Sequence, residues 1–261
     1  MIYKFCAKTD TGRSRDNNED SVAMDEETRL AVLADGMGGY NAGEIASGMA
    51  TAFIKSEMSR WLTEVGSTAR GKEVRRALEI CVDSANLSIF NAANSNANYH
   101  GMGTTLVVAV FRDDSLVLGH IGDSRCYRFR AGKLEQISRD HSLLQEQIDA
   151  GLVTPEQALH SNIKNLVTRA LGVEEFVLLE INEYPVELGD VYLMCSDGLS
   201  DMVQDAAIAK ILNSDGGMEH KVQMLVDAAN DNGGRDNISV LTVELQEATQ
   251  KRGLKARLLG K

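Results

Sequence analysis

Proline is almost absent: the chain has two in 261 residues, Pro155 and Pro185. Without a Pro-rich or Ser-rich linker, one domain is expected. Long apolar runs are missing too; none approaches the ~18 residues that cross a bilayer. Residues 1–10 have no apolar stretch of the kind a secretory leader carries, so a cytoplasmic protein with no membrane span is expected. The four cysteines, Cys6, Cys81, Cys126 and Cys195, form no Cys-x-x-Cys pair and have no histidine at zinc spacing. That argues against a zinc ribbon and a disulfide framework and leaves buried free thiols as the expectation. Positive charge is short as well: 27 Lys+Arg face 38 Asp+Glu, a formal net charge of -11. A phosphate backbone requires a basic footprint, so no nucleic-acid partner is expected. The chain also lacks the nucleotide-binding fingerprints. After Gly36-x-Gly38 the third fingerprint position is Asn41, and Gly38-xxxx-Gly43 runs into Glu44 where a phosphate-binding loop needs lysine.

What is present is a globular interior, with 43% hydrophobic residues. Strands are expected over 2–9, 20–24 and 29–34, the third ending in a turn at Asp35-Gly36-Met37-Gly38-Gly39. Two helices follow, about 43–61 and 72–93. In the first, Ile45, Met49, Ala52, Phe53 and Met58 fall near one stripe; in the second, Val74, Leu78, Cys81, Val82, Ala85 and Ile89 do. A meander comes next at 104–111, 115–121, 125–130 and 133–137, whose short turns force antiparallel neighbours. Residues 138–172 read as polar and irregular, with short helices near 143–150 and 155–160. Strands return at 177–183 and 190–195, then helices at 205–212 and 218–230 and a last strand at 238–245. This order gives an α+β fold: a central sandwich of two antiparallel sheets flanked by helices. The domain is expected to span 1–245, leaving a basic tail at 246–261 that is read as solvated.

Acidic residues recur at the chain breaks. Asp35, Asp123 and Asp197 each follow an apolar run, which holds the carboxylate rigidly at the rim of a buried strand. Several such rims brought together make a nest of oxygen ligands suited to a hard divalent cation. Any one Asp-Gly is usually only a turn. Here, however, six motifs occur in order: Arg15-x-Asn17-Asn18-Glu19-Asp20, Ala34-Asp35-Gly36-Met37-Gly38-Gly39, Gly101-Met102-Gly103-Thr104-Thr105, Gly122-Asp123-Ser124-Arg125, Ser196-Asp197-Gly198-Leu199 and Gly234-Arg235-Asp236-Asn237. In this order they resemble the metal-dependent Ser/Thr phosphatases of the protein phosphatase 2C family, especially its compact bacterial members, from residue 1 to about 245.

The resemblance implies a four-layer αββα fold and a centre of two Mg²⁺ or Mn²⁺ ions. Asp35 would bridge them, the Gly36 carbonyl would bind one, Asp197 and Asp236 would ligate the first, and Glu19 and Asp20 would act mainly through bound waters. Asp123, with Asp197, matches the position that holds a third ion in bacterial members, and Arg15 matches the arginine that grips the substrate phosphate. Residues 138–172 would form the family's flap. Asp35, Asp236 and Arg15 are thus the expected catalytic set, with metal-activated water as nucleophile; no Cys-x5-Arg loop offers another. The implied partners are phosphorylated proteins, among them a partner Ser/Thr kinase and its substrates, met by a monomer. The rival reading is a catalytically silent metal- or phosphoprotein-binding signalling module of the same fold. One departure favours it: the histidine that many members carry to protonate the leaving group is replaced by Met37 or Tyr40. Tyr40, with an ordinary pKa near ~10, suits a substrate contact better than proton donation. His120 is expected as a satisfied core residue, and His141, where the flap begins, is a candidate for touching substrate.

Overall fold

Strands whose side chains alternate between two buried faces make up the centre of the molecule. The computed structural model describes residues 1–39, 42–158 and 166–247. One sheet contains β2 (Asp20–Asp25), β3 (Leu30–Met37), β5 (Leu106–Phe111), β6 (Ser115–Ile121) and β9 (Glu180–Pro185) in that order, with the short β4 (Gly103–Thr104) paired to the end of β3. The other runs β1 (Ile2–Asp10), β11 (Ile238–Gln246), β10 (Val191–Cys195), β7 (Arg125–Arg130) and β8 (Lys133–Gln136). Neighbouring strands are antiparallel throughout.

The period of two explains the layers. On β5, Val107, Ala109 and Phe111 face the opposite sheet, whereas Leu106, Val108 and Val110 face helices α1 (Ala42–Val65) and α2 (Gly71–Ser95). On β10, Tyr192 and Met194 enter the inter-sheet core. Val191, Leu193 and Cys195 meet a third cluster under α5 (Asp197–Ser200), α6 (Asp205–Leu212) and α7 (Met218–Asp231). A strand buried on both faces must read as a continuous apolar run, as β5 does. Three apolar layers between four layers of structure therefore reproduce the expected αββα sandwich.

Three details differ from expectation. First, the buried stripe of α1 is Ala42, Ala46, Ala50, Ile54, Met58 and Leu62, while Ile45, Met49 and Phe53 are only partly buried. Small residues let the helix approach β3 closely and place the larger ones on its flanks. Second, β3 does not turn at Asp35 but continues through Gly36 and Met37, because β4 pairs with it there. Third, Asp197 opens a short helix, α5, that periodicity could not reveal in four residues. Among the described residues, α3 (Leu143–Asp149) and α4 (Pro155–Ala158) occupy the 138–172 segment, and no helix is long and apolar enough to cross a membrane. β11 runs one residue past the expected 245 boundary; residues 248–261 lie outside the described residues. Cys81, Cys126 and Cys195 are buried free thiols, and Cys6 is half-buried.

Candidate metal centre

Five chain breaks meet at one end of the sandwich. Asp20 opens β2 directly opposite Asp35 on β3. The Asp35 backbone is fixed by the two threonines after Gly103. Its carbonyl accepts from Thr105 N–H (2.9 Å) and Thr104 Oγ1 (2.8 Å), and its N–H donates to Thr105 Oγ1 (3.0 Å). Thr105 Oγ1 also bonds Ser124 Oγ at 2.8 Å, which ties the β6–β7 turn carrying Asp123 to the same point. Gly36 lies against the start of α1 so closely that an added Cβ would stand 2.1 Å from the Gly43 carbonyl oxygen and 2.6 Å from that of Glu19. At Gly198 the same atom would stand 2.0 Å from the Asn237 carbonyl oxygen. Backbone contacts this close leave no room for any side chain at either position.

Two organising residues, Ser196 and Asn237, stand within the motifs without a role assigned to them from the residues alone. Asn237 accepts from Glu19 N–H (2.8 Å) and donates to the carbonyls of Thr11 (3.0 Å) and Asn17 (2.8 Å). One amide thus locks the Arg15–Asp20 loop onto the start of β11. Ser196 Oγ donates to Asp20 Oδ2 at 2.7 Å and accepts from Ser239 N–H at 2.9 Å. A polar residue beside each acid, Ser before Asp197 and Asn after Asp236, is the one signal that could have marked them.

The charges are of one sign. Burial raises the Asp35 carboxyl well above its ordinary range, and Asp20, Asp197, Asp123 and Asp236 push it further. Asp197 is raised in the same way, by burial and then by Asp123, Asp236 and Asp201. Burial carries Asp20 and Asp123 to about 6, and raises Glu19. Asp20 Oδ1 is buried with no hydrogen-bond partner. A cation is what such a set requires, and oxygen-only donors select a hard one. Arg15 supplies part of it: its Nη2 lies 2.7 Å from Asp236 Oδ2, with the guanidinium half-exposed. The residues fit a divalent centre.

Comparison with known proteins agrees. A family model described as Protein phosphatase 2C matches residues 10–239. The chain belongs to the protein phosphatase 2C family. The serine/threonine phosphatase stp of Listeria monocytogenes is 36% identical over 247 residues, 94% of this chain and 96% of that protein. The crystal structure of the Mycobacterium tuberculosis serine/threonine phosphatase PstP/Ppp superposes with a TM-score of 0.87 at 35% identity, over 95% of this chain and 100% of that one. The catalytic domain of PstP in complex with two manganese ions gives 0.83 at 35% identity, over 94% and 99%.

Within this protein phosphatase 2C fold, the hydrogen bonds of His120 and His141 go to partners other than the acids of the nest. His120 is buried in β6, as expected, with Nε2 2.8 Å from the Arg139 carbonyl and 3.2 Å from the Arg139 N–H, but its Nδ1 has no partner, so the ring is not fully satisfied. His141 turns inward rather than toward substrate: Nδ1 accepts from Gly122 N–H (3.2 Å) and Nε2 faces Glu180 Oε2 (3.2 Å). The two rings stack at 4.8 Å, and His120, His141 and Glu180 gather within ligand reach of one another, which their sequence spacing had hidden. Because Nδ1 of His141 accepts, its Nε2 carries the proton and donates to Glu180. The trio is therefore a hydrogen-bonded joint between β6, β9 and the 138–172 segment. Tyr40 lies outside the described residues, and Met37, on β3, has no proton to give.

Proposed function

We propose that the chain is a metal-dependent protein-serine/threonine phosphatase that hydrolyses phosphoserine and phosphothreonine. The observation that carries this reading is the oxygen-only nest, several mutually repelling carboxylates around an unpartnered Asp20 oxygen. Asp35, the Gly36 carbonyl, Asp197 and Asp236 would hold two Mn²⁺ or Mg²⁺ ions, Glu19 and Asp20 would support their water shell, and Asp123 with Asp197 would take a third. Bound there, the ions neutralise phosphoryl charge and activate water as the nucleophile.

The chain's own residues do the rest. Thr104, Thr105 and Asn237 fix the acids before substrate arrives, so little reorganisation remains for the reaction. Arg15 exchanges its Asp236 partner for two oxygens of the substrate phosphate, which its planar fork fits bidentately. With methionine at 37, the leaving alkoxide takes its proton from water. Residues 1–245 act as one phosphatase domain, its 138–172 segment serving as the flap. Its setting is cytoplasmic signal transduction, as a monomer that opposes a Ser/Thr kinase on that kinase's substrates. The silent-module alternative has no missing acid to support it. Purified protein with Mn²⁺ is expected to release phosphate from phosphothreonine peptides and to stop in chelator; retention of the peptide without release would favour a binding module instead.

A further inference from the structure

Of the side chains that α2 buries, one is polar. Asn86 is 1% exposed on a face whose other buried members include Val74, Leu78, Val82 and Ile89. An amide in such a place costs stability unless its donors and acceptor are met. They are met, and by one short stretch of backbone. Oδ1 accepts from Gly172 N–H at 2.8 Å, and Nδ2 donates to the carbonyls of Glu174 (3.0 Å) and Glu175 (2.9 Å). That stretch is where the 138–172 segment rejoins the sandwich. Gly172 sits against α2 at φ +81°, and an added Cβ would stand 2.2 Å from Ile89 Cγ2. One residue back, the chain leads to the metal centre. Leu171, fully buried, pairs with Thr104: Thr104 N–H donates to its carbonyl (3.0 Å), and Leu171 N–H donates to the Thr104 carbonyl (2.8 Å). Thr104 in turn lies opposite Gly36 in the β3–β4 pair, and its Oγ1 donates to the Asp35 carbonyl at 2.8 Å. Asn86, the exit of the segment, β4 and the backbone of Asp35 and Gly36 are therefore one hydrogen-bonded ladder. In a close-packed interior, a ladder of this kind carries a displacement at one end to the other.

We propose that Asn86 is a positioning residue for the metal centre, acting through Leu171 and Thr104 on Asp35 and Gly36. Its own hydrogen bonds go to none of the acids of the nest. Its work is to hold the exit of the 138–172 segment against α2, so that Thr104 keeps the Asp35 carboxylate and the Gly36 carbonyl in register with each other. Partners that act behind the ligands in this way set metal affinity, and their loss costs about 10–100-fold in it. The inference rests on the phosphatase reading and adds to it a residue that governs ion binding from outside the nest.

The full chain is compared with Asn86→Ala and with Leu78→Ala, which opens a cavity on the same buried face of α2 but removes none of these hydrogen bonds. Mn²⁺ affinity is read by titration calorimetry, and amide exchange at Thr104 and Leu171 is read in chelator. Asn86→Ala is expected to weaken Mn²⁺ binding about tenfold and to speed exchange at both amides by at least about tenfold. Leu78→Ala, though it also lowers the melting temperature, should bind Mn²⁺ within about twofold of the parent chain. Turnover of p-nitrophenyl phosphate at limiting Mn²⁺ should fall in Asn86→Ala and recover as Mn²⁺ is raised. Asn86→Asp keeps an oxygen for Gly172 N–H and gives up the amide donors. It should fall between the parent and Asn86→Ala, and it takes over the test if the alanine variant does not fold. A parent chain that neither binds Mn²⁺ nor hydrolyses p-nitrophenyl phosphate would sink the phosphatase reading and this inference with it. A parent that does both, with Mn²⁺ affinity unmoved in the Asn86 variants or lowered as far by Leu78→Ala, would overturn the assignment of Asn86 alone.

Discussion

The molecule buries aspartates in two contrasting ways. Asp190, at the start of β10 and 1% exposed, is saturated. Arg130 Nε reaches its Oδ1 at 2.6 Å and Nη2 its Oδ2 at 2.7 Å; Glu187 N–H (2.8 Å) and Tyr192 OH (3.1 Å) complete the set. Asp20, 9% exposed at the other site, has one serine on Oδ2 and nothing on Oδ1, and its charged neighbours are carboxylates. Burial is common to both. The sign of the surroundings separates them: a carboxylate given its counter-charge by the fold is architecture, and one set among like charges is the mark of a functional centre.

The contrast can be broken first at Asp35. Asp35→Asn is expected to lower kcat/KM by at least about 10²–10³-fold, with little loss of folded protein; a variant that keeps a tenth of the parent rate would remove Asp35 from the centre. Asp190→Asn should do the reverse. It leaves Arg130 without its main partner, costs about 3 kcal/mol in denaturant unfolding, and leaves turnover per folded molecule unchanged. A catalytic defect there would erase the distinction.

Smaller effects sharpen it. In chelator at neutral pH, Asp20→Asn should stabilise the chain on the order of 1–2 kcal/mol by removing one repelling charge; Mn²⁺ should raise the melting temperature of the parent more than that of the variant. The sign in pH follows. Asp20 and Asp123, at about 6 when folded, hold protons that the unfolded chain releases near pH 3.8. Their contribution to metal-free stability is therefore full below about pH 4 and lost as pH rises through about 6. A metal-free melting curve that rises over that interval would contradict it. Least of all, Arg15→Ala should raise KM roughly tenfold with kcat within a few-fold, and an unchanged KM would free Arg15 from the phosphate.

Much of this was legible beforehand because two-faced burial writes itself plainly. β5 is six apolar residues in a row, and α2 keeps its stripe from Val74 to Ile89. The acids were legible because their turns are short and polar. What stayed hidden depends on contacts far along the chain. The β3 strand passes its Asp-Gly only because Gly103 and Thr104 pair with it, some 67 residues on. The first half of α1's buried stripe is alanine (Ala42, Ala46, Ala50), which carries weak periodic signal, and its conspicuous Ile45, Met49 and Phe53 misdirect the eye. His120, His141 and Glu180 come from three separate elements, so no spacing rule could join them.

The Asn237 amide has a consequence in time. It joins the loop around Glu19 to a strand that begins 218 residues later, and Arg15 meets Asp236 across 221. At roughly 5–20 residues per second of synthesis, the first half of the centre waits on the order of 10–50 s for the second. A ribosome-bound chain stalled before Asn237 therefore carries most of the sandwich and none of the activity. The centre switches on only once Ile238–Gln246 closes against the first strand.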